Sequence, residues 1–300
     1  MLWGLSGDEQ LEGVVQALLR LDVPFCFLDQ RDVCNTAIEK CEYRPCLVTT
    51  SSQSIALADI TALYLRLYDS QRLPEITTDQ QGLAAAHAAV VETALYGWLE
   101  LTSALVINRP SAMVSNNSKP YQASIIRRHG FKTAATLITT DAAAVRKFLR
   151  AHGSLIYKSI SGVRSIVSRL AEDDPRLPYV QWCPTQFQEF VHGTDYRVHV
   201  VGRELFACEV LCEADDYRYP GECKRQITAC ELPQSVAARV RSLTEEMGLN
   251  LAGVDLRQTP DHQWYCFEVN PSPAFTLFES EACEVASGIA RLLAAAGCIS

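Results

Sequence analysis

A chain of 300 residues, 48% hydrophobic and 21% charged, is long enough for two or three subdomains with their own cores and shows neither repeats nor low-complexity tracts. Its formal charge of −8 argues against a nucleic-acid binder or a protein held on an anionic membrane, since both need a basic face. Asp8, Glu9 and Glu12 near the N-terminus and the lack of any long uncharged run predict neither export nor a membrane span, and 12 scattered cysteines without a CxxC pair predict mostly reduced, buried thiols of a cytoplasmic protein rather than a zinc centre.

In chain order, MLWGLSG predicts a short strand, DEQLEGVVQALLRL an amphipathic helix and VPFCFLDQ a second strand, which is a βαβ opening. ADITALYLRLYD predicts another strand, GLAAAHAAVVETALYGWLELT a long helix, and SALVINRP a strand, so this part is expected to be a small α/β domain with a mostly parallel sheet. No GxGxxG follows the first strand and no GxxxxGK loop occurs, so a phosphate site is to be sought further on.

NNSKPYQASIIRRHG predicts a capped helix ending at Gly130, followed by FKTAATLITTD and the helix DAAAVRKFLRAHG. SLIYKSISGVRSIVSRL reads as strand, Ser/Gly turn and strand, and AEDDPRLPYVQWCP as a linker. TQFQEFVHGTDYRVHVVGRELFACEVLC reads as three strands turning at His192-Gly193 and Gly202-Arg203. The helix LPQSVAARVRSLTEEMGL, a hairpin, and ESEACEVASGIARLLAAAG complete an α+β order.

The hairpin, LAGVDLRQTPDHQWYCFEVNPSPAF, carries the chemistry. Strict alternation sets Glu268 and Asn270 on one face, with Phe267 and Val269 on the other and Asp255 on the partner strand. Two carboxylates and an amide oxygen form the hard donor set that Mg2+ prefers, and Mg2+ commonly arrives with substrate phosphates. On this stretch alone a solvent-facing Glu268 and an Asn270 that merely opens the turn before Pro271 serve equally well.

Four elements in order resemble the ATP-grasp superfamily over about residues 100 to 290, most of all its ribosomal protein glutamate ligase and microviridin-type (graspetide) peptide ligase branch. GVD and FEVN match its metal ligands, which implies Asp255, Glu268 and Asn270 as the Mg2+ site. SKPYQASIIRRHGFKT is similar to the helix whose lysine, here Lys119, reaches ATP phosphates. SLIYKSISGV resembles the strand and lid loop that hold phosphates, which implies Lys158, Ser161 and Gly162; the loop departs from the longer glycine-rich form by carrying Arg164 and Ser165. QEFVHGTDYRV resembles the hinge, which implies Gln188 at the adenine edge, main-chain contacts at Phe190 and Val191, and Asp195 on the ribose. Read singly, Lys119 is as well a solvated lysine and Asp195 a turn aspartate.

The resemblance implies an α/β pre-grasp domain (residues 1–108) followed by an α+β ATP-grasp fold of two subdomains with ATP between them (109–300; lid about 132–187, central subdomain about 188–300). It implies an ATP- and Mg2+-dependent ligase, with Mn2+ as an alternative ion, that activates a carboxylate as an acyl phosphate and joins it to an amine on a peptide or amino acid. Such chemistry needs cations more than a nucleophilic side chain. Arg218 and then Arg225, in ADDYRYPGECKR, are expected to steady the acyl phosphate, while Arg197 is expected to pair with a carboxylate. An ATP-grasp phosphotransferase and a non-catalytic nucleotide-binding scaffold are the alternatives; no nucleic-acid or membrane partner is expected, and the oligomeric state, a homodimer included, stays open.

Overall fold

The computed structural model describes residues 1–42, 44–159, 168–171, 174–212, 217 and 224–297. The first layer system uses β1 (Leu2–Gly4), α1 (Glu9–Arg20), β2 (Phe27–Asp29), the strands β3 (Ala37–Cys41), β4 (Arg44–Thr49) and β5 (Ser54–Ala56), then β6 (Ala62–Arg66), α2 (Pro74–Thr77), α3 (Leu83–Leu101) and β7 (Leu105–Ile107). β2-β1-β6-β7 form the expected parallel sheet. Alternation decides its two faces: Leu2, Tyr64 and Ile107 pack toward α1, while Trp3, Leu63, Leu65 and Val106 pack toward α3. α1 begins where Asp8 accepts hydrogen bonds from the Gln10 and Leu11 amides at 3.0 Å, and it buries Leu11, Val14 and Leu18 at helical spacing.

The sequence assigned nothing to residues 31–57, where β3-β4-β5 form a separate antiparallel sheet. These strands run three to six residues, and Pro45 sits beside a register shift, so no stretch sustains a period-2 pattern long enough to read. Cys46 on β4 is disulfide-bonded, which corrects the expectation of reduced thiols at that position. Of the described free cysteines, Cys208, Cys266 and Cys283 are buried and Cys183 is exposed. Among the described residues no helix is long and apolar enough to cross a membrane.

Next come α4 (Pro110–Met113), α5 (Lys119–Arg128), β8 (Thr136–Thr139), α6 (Ala142–His152), β9 (Leu155–Ser159), β10 (Ser168–Leu170) and β11 (Thr185–Glu189). β10-β9-β11-β8 make an antiparallel sheet whose inner face, Leu155, Tyr157 and Phe187, packs with Val145 and Phe148 of α6. The segment read as a linker contains a 3-10 turn, Leu177–Trp182, and contributes Leu177 and Val180 to this core.

β12 (Thr194–Val201), β13 (Glu204–Cys212), β14 (Arg225–Cys230), α7 (Gln234–Glu246), β15 (Leu251–Gln258), β16 (Trp264–Asn270) and α8 (Val285–Gly297) complete the chain. The sheet β14-β13-β12-β15-β16 is antiparallel throughout. Val198, Val200, Val254 and Val269 pack against Val240 and Leu243 of α7 and Ile125 and Ile126 of α5. On the other face, Cys208 and Val210 meet Phe275, Phe278 and α8, which in turn lies on α1 and β6.

One buried amide joins the parallel sheet to the central one. Asn108, 2% exposed at the end of β7, donates to the carbonyls of Leu251 and Pro271 at 2.7 Å each and accepts from the Asn250 and Leu251 amides at 2.7 and 3.0 Å. All four of its hydrogen-bonding positions are used. Asn108→Ala leaves these groups without their partner and is expected to cost about 3 kcal/mol in urea unfolding, with Asn108→Asp, which turns a carboxylate toward two carbonyls, costing more. An Asn108→Ala protein as stable as the parent would show that this junction does not hold the two sheets together.

Candidate active site

The hairpin β15–β16 supplies the floor of the site. Asp255 lies directly across from Glu268, and Gly253 across from Asn270. Between Asp255 and Leu256 the register shifts, so Leu256 pairs with Cys266 and Phe267 is the extra residue of a β-bulge. This corrects the strict alternation that put Phe267 beside Val269. Val269 is buried against α5 and α7, whereas Phe267 lines the cleft and faces the Arg257 guanidinium, 5.3 Å from its ring centroid. The edge of β16 is covered by Gln122 of α5, whose side-chain amide donates to the Val269 carbonyl at 2.8 Å and accepts from its N–H at 3.1 Å.

Two like charges directly opposite on adjacent strands repel, and here each has a cation beside it. Arg197 Nη1 donates to Asp255 Oδ1 at 2.7 Å, as Tyr217 does through its hydroxyl at 3.1 Å. Lys119 Nζ pairs with Glu268 and donates to Asn116 Oδ1 at 2.9 Å. Asn270 Oδ1 accepts from the Ser272 amide at 2.9 Å. The donors that face each other are all oxygen, and Gly253 leaves the space opposite Asn270 open to side chains from neighbouring strands. This set fits a hard divalent cation such as Mg2+. Arg197 uses that space: a Cβ on residue 253 would come within 2.2 Å of its guanidinium.

Arg197 is 6% exposed, lies over the Phe278 ring at 5.9 Å and donates from Nε to His199 Nε2 at 3.3 Å. Burial works to lower its pKa, but Asp255, Tyr217 and Glu268 outweigh it and hold the guanidinium above its ordinary value. His199, fully buried, is pushed well below the usual histidine range by that burial and then by Arg197. It thus serves as a neutral acceptor for Arg197.

A cleft of about 550 Å3 opens beside Lys119, between α5, the strands β8, β9 and β11, and β16. Pairing sets the wall formed by β8, β9 and β11: Lys158 lies across from Gln186 and Gln188 across from Thr136, so these side chains share the cleft face while Tyr157 and Phe187 point into the core under α6. Gln188 Nε2 donates to Thr136 Oγ1 at 3.1 Å. Just after β11, the Phe190 amide donates to the Ser154 carbonyl at 2.9 Å, and Val191 is buried.

Of the residues singled out in the sequence, Asp255, Glu268, Asn270 and Lys119 come together, and Lys158 and Gln188 line the adjoining cleft. Asp195 is engaged by Arg257, and Arg225 Nη1 donates to the Tyr217 carbonyl at 2.9 Å rather than to a carboxylate. Ser161, Gly162 and Arg218 lie outside the described residues. Arg257, Phe267, Tyr217 and Gln186 were missed. Arg257 was within reach, because it follows Asp255 by two residues on one strand; the bulge that turns Phe267 left no mark in the sequence.

No family model matches the chain. It is 30% identical to the glutathione synthetase of Neisseria meningitidis serogroup A over 187 residues, 55% of each protein, so the chain spans about half the length of the curated relatives it matches. Among solved structures, the RiPP-associated ATP-grasp ligase of Chryseobacterium gregarium, in complex with ADP and a leader and core peptide, superposes with a TM-score of 0.82 over 97% of this chain and 95% of that one at 21% identity. The chain has the ATP-grasp fold. PsnB, an ATP-grasp ligase complexed with minimal precursor, Mg and ADP, is 25% identical, with a TM-score of 0.80 over 99% of this chain and 96% of that one.

The state of His199 has a consequence for acid stability. A histidine neutral in the fold titrates near its ordinary value, about 6.5, once unfolded, so below that pH the unfolded chain binds more protons. Its contribution to stability is fully present above about pH 6.5 and is lost progressively as the pH falls below it. The fall in melting temperature between pH 7 and pH 5 is therefore expected to be smaller in His199→Gln than in the parent. Equal falls would show that His199 does not titrate differently in the two states.

Proposed function

We propose that this chain is an ATP- and Mg2+-dependent ligase that activates a carboxylate as an acyl phosphate and joins it to an amine of a peptide or amino acid. The observation that carries this reading is the pair Asp255 and Glu268, face to face on a bulged hairpin, with Arg197 and Lys119 beside them at the mouth of a cleft. The likeness to ATP-grasp ligases solved with ADP and peptides supports it.

Asp255, Glu268 and Asn270 would hold Mg2+, with Mn2+ as an alternative occupant, and the ion would neutralise phosphate charge. Lys119 and Lys158 bind the triphosphate as point charges. A substrate carboxylate oxygen attacks the γ-phosphorus, the bond to the β-phosphate oxygen breaks, and ADP leaves. An amine then attacks the acyl carbon, phosphate departs, and the amine loses a proton as the amide forms. Arg197, planar and buried beside Asp255, is set to stabilise the negative charge of the acyl phosphate and its adduct; Arg225 is turned instead toward the Tyr217 carbonyl. We further read residues 1–108 as the pre-grasp domain and the sheet β10-β9-β11-β8, three of whose strands line the cleft, as the lid.

Asp255→Asn and Glu268→Gln are each expected to lower ADP formation by about 100-fold or more, and to remove the stabilisation by Mg-ATP, which for the parent amounts to about 2.7 kcal/mol at a hundredfold excess over Kd. A parent protein that Mg-ATP does not stabilise would sink the reading. With hydroxylamine present the acyl phosphate is trapped as a hydroxamate; ADP formation with a stable phosphoester and no hydroxamate would make the protein a phosphotransferase instead.

Arg197→Met is expected to reduce hydroxamate formation by about 100-fold while Mg-ATP stabilisation persists. Undiminished hydroxamate formation would remove Arg197 from the reaction and return attention to Arg225.

A further inference from the structure

Asp255 is held from two sides through one oxygen. Arg197 Nη1 and the Tyr217 hydroxyl both donate to Oδ1, at 2.7 and 3.1 Å. A carboxylate oxygen offers about two lone-pair positions, so the two donors fill Oδ1 and fix the rotation of the carboxylate. Among the described residues nothing donates to Oδ2. Glu268, opposite on β16, is clamped in the same manner, with Lys119 on Oε1.

The two donors on Asp255 differ in what they do to a cation. A guanidinium brings a full positive charge and so repels a metal ion beside the same carboxylate. A phenol hydroxyl orients the carboxylate and leaves its negative charge in place. Tyr217 has two supports of its own. Its carbonyl accepts from Nη1 of Arg225 at 2.9 Å, and Arg225 is itself fixed at the start of β14, opposite Cys212. Its ring meets that of Phe278 edge-on, with centroids 6.4 Å apart at 82°. Phe278, 5% exposed, also lies under the Arg197 guanidinium at 5.9 Å, so one buried ring supports both donors to Oδ1.

We propose that Tyr217 is a positioning residue for the divalent cation: its hydroxyl, by holding Oδ1 of Asp255, leaves Oδ2 to the ion, and Arg225 acts at one remove by fixing Tyr217. The inference rests on the ATP-ligase reading, with Asp255 as a ligand of the ion. Outer partners of this kind govern metal affinity because they set the orientation in which a ligand meets the metal. Arg225 thereby has a structural reason for its place that does not involve the acyl phosphate.

The test is calorimetric titration of the full chain with ADP, once with saturating Mg2+ and once with EDTA, for the parent, Tyr217→Phe, Arg225→Met and the double variant. The ratio of the two dissociation constants reads the coupling between ion and nucleotide. Mg2+ is expected to tighten ADP binding by the parent, and Tyr217→Phe, which keeps the ring on Phe278, to cut that gain by about tenfold with the constant in EDTA unchanged. Arg225→Met is expected to move the ratio the same way by less, and the double variant to fall no further than Tyr217→Phe, since both act through one hydroxyl. A ratio in Tyr217→Phe equal to the parent's overturns the inference, even where ADP binds more weakly in both solutions, because general loosening acts on both alike. So does a parent that binds ADP no more tightly with Mg2+. A parent that binds no ADP in either solution overturns the ligase reading itself, which is a different result. Should Tyr217→Phe fail to fold, Arg225→Met decides, and a ratio equal to the parent's then overturns the inference.

Discussion

The Asn108 amide is the constraint from which the site's geometry follows. Its two donors hold one carbonyl from the start of β15 and one from just past the end of β16, and its acceptor holds the amides that lead into β15. The hairpin that bears Asp255 and Glu268 is thereby gripped at its open end by the parallel sheet. Arg66 adds a second tie, reaching the Pro273 carbonyl at 3.1 Å while its Nε pairs with Asp8, the residue that caps α1. Helix start, sheet end and the turn after β16 are thus one polar network, and such networks hold position only when every member is satisfied.

On the floor of the site, electrostatics opposes sheet pairing and is answered locally. Asp255 and Glu268 face each other across paired strands, an arrangement that costs energy unless cations stand close by. Arg197 and Lys119 stand there, one from within the sheet and one from the start of α5. Arg197 reaches its place only because residue 253 lacks a side chain, and its orientation depends on His199 remaining neutral in an apolar setting beside Phe275 and Phe278. Burial of a charge is tolerated here because it is paired and hydrogen-bonded.

Much of this was legible in the chain. The βαβ opening, the helices, the three-stranded run and the hairpin follow from local periodicity and turn residues, and β12, β13, β15 and β16 appear where those signals placed them. The antiparallel strands of residues 37–56 were not legible, being too short to hold a period. Nor was the 3-10 turn at Leu177–Trp182, whose polar flanks resemble a linker until Leu177 and Val180 are seen packed with Val145, Leu155 and Phe187.

By itself the sequence determined which residues could act: alternation alone puts Asp255 on one strand and Glu268 and Asn270 on the next, facing the same way. Only the tertiary structure decided what those residues meet. Arg197 finds Asp255 from 58 positions away, Arg257 finds Asp195 from 62, and Lys119 finds Glu268 from 149. Periodicity is a property of neighbours along the chain, whereas the partner of a buried charge is chosen by the packing that excludes water around it. The bulge that turns Phe267 into the cleft belongs to the same class, because one unpaired residue in a strand is set by the register of two strands together.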